Sequence, residues 1–253
     1  METEDVGRAL NPSSDAPAAH VDEDGLRARP TSGIANRADA YARLRELSAP
    51  SPELFAEYPA LVARLNAFLS SAVDRARARF ACPVTYAAGL WEDVDWRPFG
   101  LVGIDAYRDR SNAATFDDLL DARFAHGKPV AVTEFGCCTY RGAAARGASG
   151  WSITEDHDGQ RRLAGVYVRD ENEQVRYLRE LHDLYQRHGV DIAFWFTFAS
   201  WDRPHRPDPR EDLDMASFGV VKVADAPAGP AERRWSPKAV FYELARIARR
   251  LPG

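Results

Sequence analysis

Cysteine is scarce in this chain. Its 253 residues hold three, Cys82, Cys137 and Cys138, and two of them are adjacent. An odd count without paired spacing excludes a disulfide framework or a cysteine zinc site, and it points to a reduced, cytoplasmic setting. No apolar run approaches the roughly 18 residues of a membrane-spanning helix. Glu2, Glu4 and Asp5, with no apolar stretch behind them, do not make the pattern of a secretory signal. A basic excess is missing too, because 38 acids against 33 bases leave −5. Neither nucleic acid nor a membrane is therefore an expected partner. There is no GxSxG elbow, no P-loop, no HExxH and no GxGxxG. Elbow-type serine hydrolases, P-loop enzymes, zincins and Rossmann enzymes thus lack their signatures here, and no cofactor is expected.

What is present is ordinary for a globular protein: 45% apolar, 28% charged and 11% aromatic residues, enough for one sizeable core. The distribution is uneven. Residues 1–36 hold no aromatic side chain, and their seven acids against three arginines account for −4 of the net charge. Such a segment buries too little apolar surface to offset its ordering entropy, and it is expected to be disordered. The folded part then runs over 37–253. Ser51-Pro52-Glu53 has the form of a helix start, and Leu54, Leu61, Leu65, Phe68, Leu69 and Val73 follow at helical spacing toward Phe80. Pro59 predicts a break or restart inside that helix.

Four short apolar runs come next, each bounded by Gly or Pro: PVTYAAG (Pro83–Gly89), LVGIDAY (Leu101–Tyr107), PVAVTEFG (Pro129–Gly136) and IAFWFTF (Ile192–Phe198). They are continuous rather than alternating, as parallel strands covered on both faces are. Helical segments are expected at about Thr115–His126, Glu171–His188 and Pro237–Arg250. The middle one is clearest, with Val175, Leu178, Leu181 and Tyr185 on one stripe and Gly189 as its stop. Strands and helices in succession predict an α/β fold with a parallel sheet.

Ligands of such folds gather at the carboxyl ends of the strands. Glu134 closes a strand otherwise built of Val and Ala, and a carboxylate there costs desolvation. It is either paired with a nearby arginine or catalytic. Tyr107, ending the second run after Asp105, either hydrogen-bonds such a carboxylate or caps the core. Trp195 in the last run either stacks on a sugar ring or packs inside. Asp202, His205, Asp208, Asp212 and Asp214 crowd one proline-rich loop, but their spacing matches no metal motif, so a solvated or pocket-lining acidic loop is expected. Cys137 and Cys138 read as packing thiols.

The ordered set of motifs resembles the C-terminal half of a clan-A glycoside hydrolase, an eight-stranded (β/α) barrel. PVTYAAG, LVGIDAY, KPVAVTEFG and IAFWFTF resemble its fifth to eighth strands, and the tail from Phe218-Gly219-Val220-Val221 to Trp235-Ser236-Pro237-Lys238-Ala239 resembles the approach to its last helix. More narrowly, TEFGCCTYRGA, VRDE and DLDMASFGVV are similar to bacterial proteins labelled abortive-infection proteins. The resemblance implies a fold of about strands five to eight of a TIM barrel. It also implies retaining hydrolysis of O-glycosyl bonds, with Glu134 as nucleophile and Tyr107 orienting it. Trp195, Asp105, Arg141 and Asp202 would then contact a carbohydrate ligand. The clan's acid/base glutamate belongs to an Asn-Glu pair on the fourth strand. Residues 11–30 offer one glutamate, Glu23, and no such pair, so a catalytically incomplete fragment is also expected. The alternative reading is a non-catalytic carbohydrate-binding or phage-defence protein on the same scaffold. Half a barrel would leave strand edges open to self-association.

Overall fold

The computed structural model describes residues 52–90, 92–225 and 234–249. The segment 1–36 and the Ser51 cap lie outside the described residues. Contacts divide the chain into two units, Met1–Ala63 and Arg64–Gly253. The described part of the first is the opening of helix α1 (Pro52–Arg77), and every element after α1 belongs to the second. The break expected at Pro59 does not occur, since α1 runs through it. Proline there removes one backbone bond and costs about 3 kcal/mol. Leu69 and Val73, buried in the core beyond it, and Leu65, partly buried against that core, hold the helix together regardless.

After α1 come β1 (Ala88–Gly89), β2 (Val102–Asp105), α2 (Phe116–Phe124) and β3 (Val130–Phe135). An antiparallel hairpin of β4 (Thr154–His157) and β5 (Gln160–Leu163) follows, then α3 (Glu171–His188) and β6 (Ile192–Trp195). The chain closes with a second hairpin, β7 (Val221–Val223) and β8 (Trp235–Pro237), and α4 (Ala239–Ala248). Strands β1, β2, β3 and β6 form one four-stranded sheet in that order, all parallel. All four apolar runs thus enter the sheet, although PVTYAAG contributes only its last two residues. The two hairpins had no counterpart in the sequence reading.

Helix α3 shows why the local code works. The Asp170 carboxylate caps it by accepting from the Asn172 N–H at 3.0 Å, and Gly189 ends it at φ 76°, a left-handed value that costs glycine little. Its stripe of Val175, Leu178, Leu181 and Tyr185 is buried, each such side chain contributing about 1.5–3 kcal/mol. One side of the sheet faces this helix: the Phe135 ring meets Tyr185 at 5.2 Å, and Trp195 meets Tyr177 at 6.4 Å. Val102, Ile104, Val130 and Val132 share that packed cluster and are wholly buried.

Register decides what the other side carries. Ile104 pairs with Val132, but the next residue, Asp105, pairs with Glu134. Toward β6 the same skip appears, between the Val132–Ala193 and Phe135–Trp195 pairs. Strand β3 therefore holds one extra residue beside Thr133, a β-bulge. Without it, Glu134 would continue the line of Val130 and Val132 into the helix-facing core. With it, Phe135 takes that place and Glu134 turns to the opposite side. Ile192 and Phe194 of β6, 41% and 57% exposed, stand on that opposite side.

Candidate functional site

Glu134 meets Tyr107 across the ends of β3 and β2. The Tyr107 hydroxyl donates to Glu134 Oε2 at 3.0 Å. The loop that carries Tyr107 is pinned from several directions. The Ala106 N–H donates to the Glu134 carbonyl at 2.7 Å, and the Tyr185 hydroxyl donates to the Ala106 carbonyl at 3.2 Å. Tyr177 both accepts from the Arg108 N–H and donates to the Arg108 carbonyl, each at 2.9 Å. Asn112 donates to the Tyr107 carbonyl at 2.9 Å. A phenol so fixed orients the carboxylate it touches.

Asp105 is the paired neighbour of Glu134 and accepts from Thr133 Oγ1 at 2.8 Å. Two carboxylates thus meet at one rung of the sheet, each held by a hydroxyl and neither in an ion pair among the described residues. Burial, and then the charge of Asp105, hold the Glu134 carboxyl above its ordinary range, while the Tyr107 bond pulls the other way. Burial likewise raises Asp105 against its bond from Thr133. The Tyr107 hydroxyl is pushed far up, by burial first and by Glu134 second, so it remains a donor. Tyr86, pushed up to about 12 by burial, Glu92 and Asp105, donates to Glu92 Oε1 at 3.1 Å on the β1 side.

The aromatic residues divide by side. Trp195 is half-buried, its indole N–H donates to the Phe218 carbonyl at 2.9 Å, and its ring meets Phe135 and Tyr177. Of its two readings, core packing describes these surroundings. The next residue, Phe196, is 39% exposed and 6.1 Å from the Phe218 ring, which lies 5.8 Å from Tyr107. Phe196 is thus the aromatic that reaches the Tyr107 side, and the alternation of a strand was the signal that could have found it. Close approach completes the arrangement: a Cβ on Gly136 would stand 2.7 Å from the Phe196 carbonyl oxygen.

The remaining sequence candidates fall elsewhere. Arg141 is exposed in the loop after β3, its N–H donating to the Val168 carbonyl at 3.0 Å. Asp202 pairs with Arg161 at 3.6 Å beside the β4–β5 hairpin. The acidic loop is not uniformly solvated. Asp212 and Asp214 are buried, and Arg169 binds them at 2.8 and 2.7 Å. Lys238, fully buried, binds Asp214 at 2.8 Å and Thr139 at 3.0 Å. His205 adds a contact to Asp212 at 2.9 Å. The cations that explain these acids lie 43 and 24 residues away in sequence, so no local pattern announced them. Cys137 and Cys138 are wholly buried. Burial raises both thiols, Cys138 to about 12, which fits packing rather than nucleophilic use. A comparison with protein-family models finds no match for this chain, and neither does one with curated proteins.

Proposed function

We propose that the chain is a carbohydrate-active protein of the glycoside hydrolase kind, with its four parallel strands as strands five to eight of a (β/α)8 barrel and Glu134 as the nucleophile. The observation that carries this reading is the 3.0 Å bond from Tyr107 to a carboxylate that forms no ion pair among the described residues, at the carboxyl end of a parallel strand. A carboxylate kept for structure is neutralised, as Asp214 is. One kept for attack needs an oriented oxygen with its charge still available. Tyr107 holds Oε2 and leaves Oε1 to approach the anomeric carbon. Phe196 supplies an exposed ring on the same side, and Asp105 an acceptor for a sugar hydroxyl.

In a retaining glycosidase a second carboxyl about 5–5.5 Å away protonates the leaving oxygen. The residues brought together here account for attack and orientation. The chemistry they support alone is glycosyl transfer from a leaving group that needs no proton. Glu134 attacks the anomeric carbon, the bond to an aryloxide breaks, and the aryloxide departs as an anion. Azide can then displace Glu134 to give a glycosyl azide and restore the carboxylate. The test is to incubate the chain with 2-fluoro aryl glycosides and map the labelled peptide. Label is expected on Glu134 and none on Glu134→Gln; label on another carboxylate, or none with any glycoside, sinks the assignment. An activated aryl glycoside without the fluorine should show a burst followed by azide-dependent turnover.

A further inference from the structure

A concavity lies between the β4–β5 hairpin and the loop that follows β6. It has a volume of about 440 Å³ and is lined by Arg161, Trp201, Asp202, Arg206, Leu213 and Asp225, among others. This is within the usual range of roughly 300–1,000 Å³ for a small-molecule site. We infer that this pocket binds a neutral sugar unit of an oligosaccharide or polysaccharide, stacked on Trp201 and held by the paired charged groups around it.

The charge balance narrows the ligand first. Arg161 pairs with Asp202 at 3.6 Å, and Arg206 pairs with Asp225. Two cations against two anions leave no net field to hold a phosphate, a polyanion or a metal cation. The groups stay rich in directional hydrogen bonding, because a guanidinium has five N–H donors and a carboxylate about four acceptor positions, and one ion pair uses only some of each. A ligand with no charge and many hydroxyls matches that inventory. The aromatic surface narrows it further. Trp201 is 58% exposed beside these pairs, and an indole offers an apolar face next to a polar rim. The apolar C–H face of a sugar ring and its hydroxyl edge fit these two surfaces together.

The loop is also built to present these groups rather than to swing. Arg203 donates to the Ala216 carbonyl at 2.8 Å and lies over the Trp151 ring at 5.4 Å. The His205 N–H donates to the Val223 carbonyl at 2.7 Å, and the Asp214 N–H to the Pro204 carbonyl at 3.2 Å. Arg203, Pro204 and His205 thus tie the loop to the fold, while Trp201, Asp202 and Arg206 line the pocket. Little ordering remains for a ligand to impose.

The inference deepens the carbohydrate reading and rests on it for ligand class, yet its residues are not those around Glu134, so the two fail separately. The experiment is native electrophoresis of the full chain in gels cast with soluble neutral polysaccharides: β-glucan, xylan, glucomannan and dextran. A parallel gel carries heparin. At least one neutral gel should retard the wild type and Glu134→Gln equally. Trp201→Ala should weaken that retardation at least tenfold, with Trp201→Phe intermediate and the melting temperature of both variants near wild type. Absence of retardation in every neutral gel overturns the inference, and so does unchanged retardation of Trp201→Ala. Trp201-dependent retardation by heparin alone would make this an anion site and overturn it as well. Trp201-dependent retardation without any labelling of Glu134 supports the pocket and removes the nucleophile.

Discussion

Among the carboxylates that are half-buried or deeper, Asp214 and the pair of Glu134 and Asp105 are treated in opposite ways. Asp214 has a cation on each side, Arg169 at 2.7 Å and Lys238 at 2.8 Å. Glu134 and Asp105 have hydroxyl donors, Tyr107 and Thr133. Neutralisation makes the first group a clasp that joins the segment leading into α3 to the loop after β6 and to the start of α4. The second group has no ion-pair partner among the described residues, and burial, joined at Glu134 by the charge of Asp105, raises both carboxyls above their ordinary range. A fold tolerates such a cost where the charge has work to do.

The largest expected effect lies in the clasp. Asp214→Asn should cost about 3–5 kcal/mol in urea unfolding, because it leaves Lys238 charged and buried with too little compensation. The double replacement Lys238→Met with Asp214→Leu should recover much of that loss, since both desolvation penalties vanish together. If Asp214→Asn unfolds like the wild type, the clasp is not structural and the comparison fails.

Next comes Trp195→Ala, expected to cost about 3 kcal/mol by opening a void against Phe135 and Tyr177. Phe196→Ala should cost less than half as much, although its ring adjoins Phe218. Thermal denaturation of the two variants side by side reads the difference, and equal losses would contradict the division of the strand into two sides.

Glu134→Gln should behave unlike Asp214→Asn, staying within about 0.5 kcal/mol of wild type at pH 7 or exceeding it. The sign follows from linkage. A carboxyl raised on folding stabilises the native state fully below its unfolded value of about 4.3, and that contribution is lost as pH rises through the folded value. The stability of Glu134→Gln relative to wild type should therefore grow across that window. A relative decline with rising pH would show that the charge is matched after all.

The smallest effect is a titration. In carbon-13 spectra of the side-chain carboxyls, Asp105→Asn should move the Glu134 midpoint down, because a like charge is removed. Tyr107→Phe should move it up, because the donor that favours the ionised form is lost. Shifts of the same sign in both variants would mean that burial alone governs the site.

Much of this was legible along the chain because it is local. Helix α3 needed only a capping acid, a stripe at helical spacing and a terminal glycine, and its bounds match the expectation at both ends. Four apolar runs between turn residues marked the four strands of the sheet. Tyr107 and Glu134 stood out for a similar reason, as polar side chains ending apolar runs. The hairpins were missed because β4 and β5, with TEDH and QRRL, carry no apolar alternation. Pro59 misled because proline penalises a helix locally, whereas the burial that sustains α1 is a sum over distant contacts.

The sequence by itself determined the helices and the four strands of the parallel sheet, and that a carboxylate and a phenol close two of its apolar runs. Those outcomes follow from backbone preferences and from the period of apolar side chains, which act over a few residues. Only the tertiary structure decided that a bulge beside Thr133 turns Glu134 out of the helix-facing core, that Trp195 packs while Phe196 is exposed, and that Asp214 is matched by Arg169 and Lys238. Register, side and charge partnership depend on which strand lies beside which, and on cations brought in from far along the chain. The free energy of a buried charge is set by neighbours in space, so one carboxylate closes a clasp between two cations while another is held by a phenol.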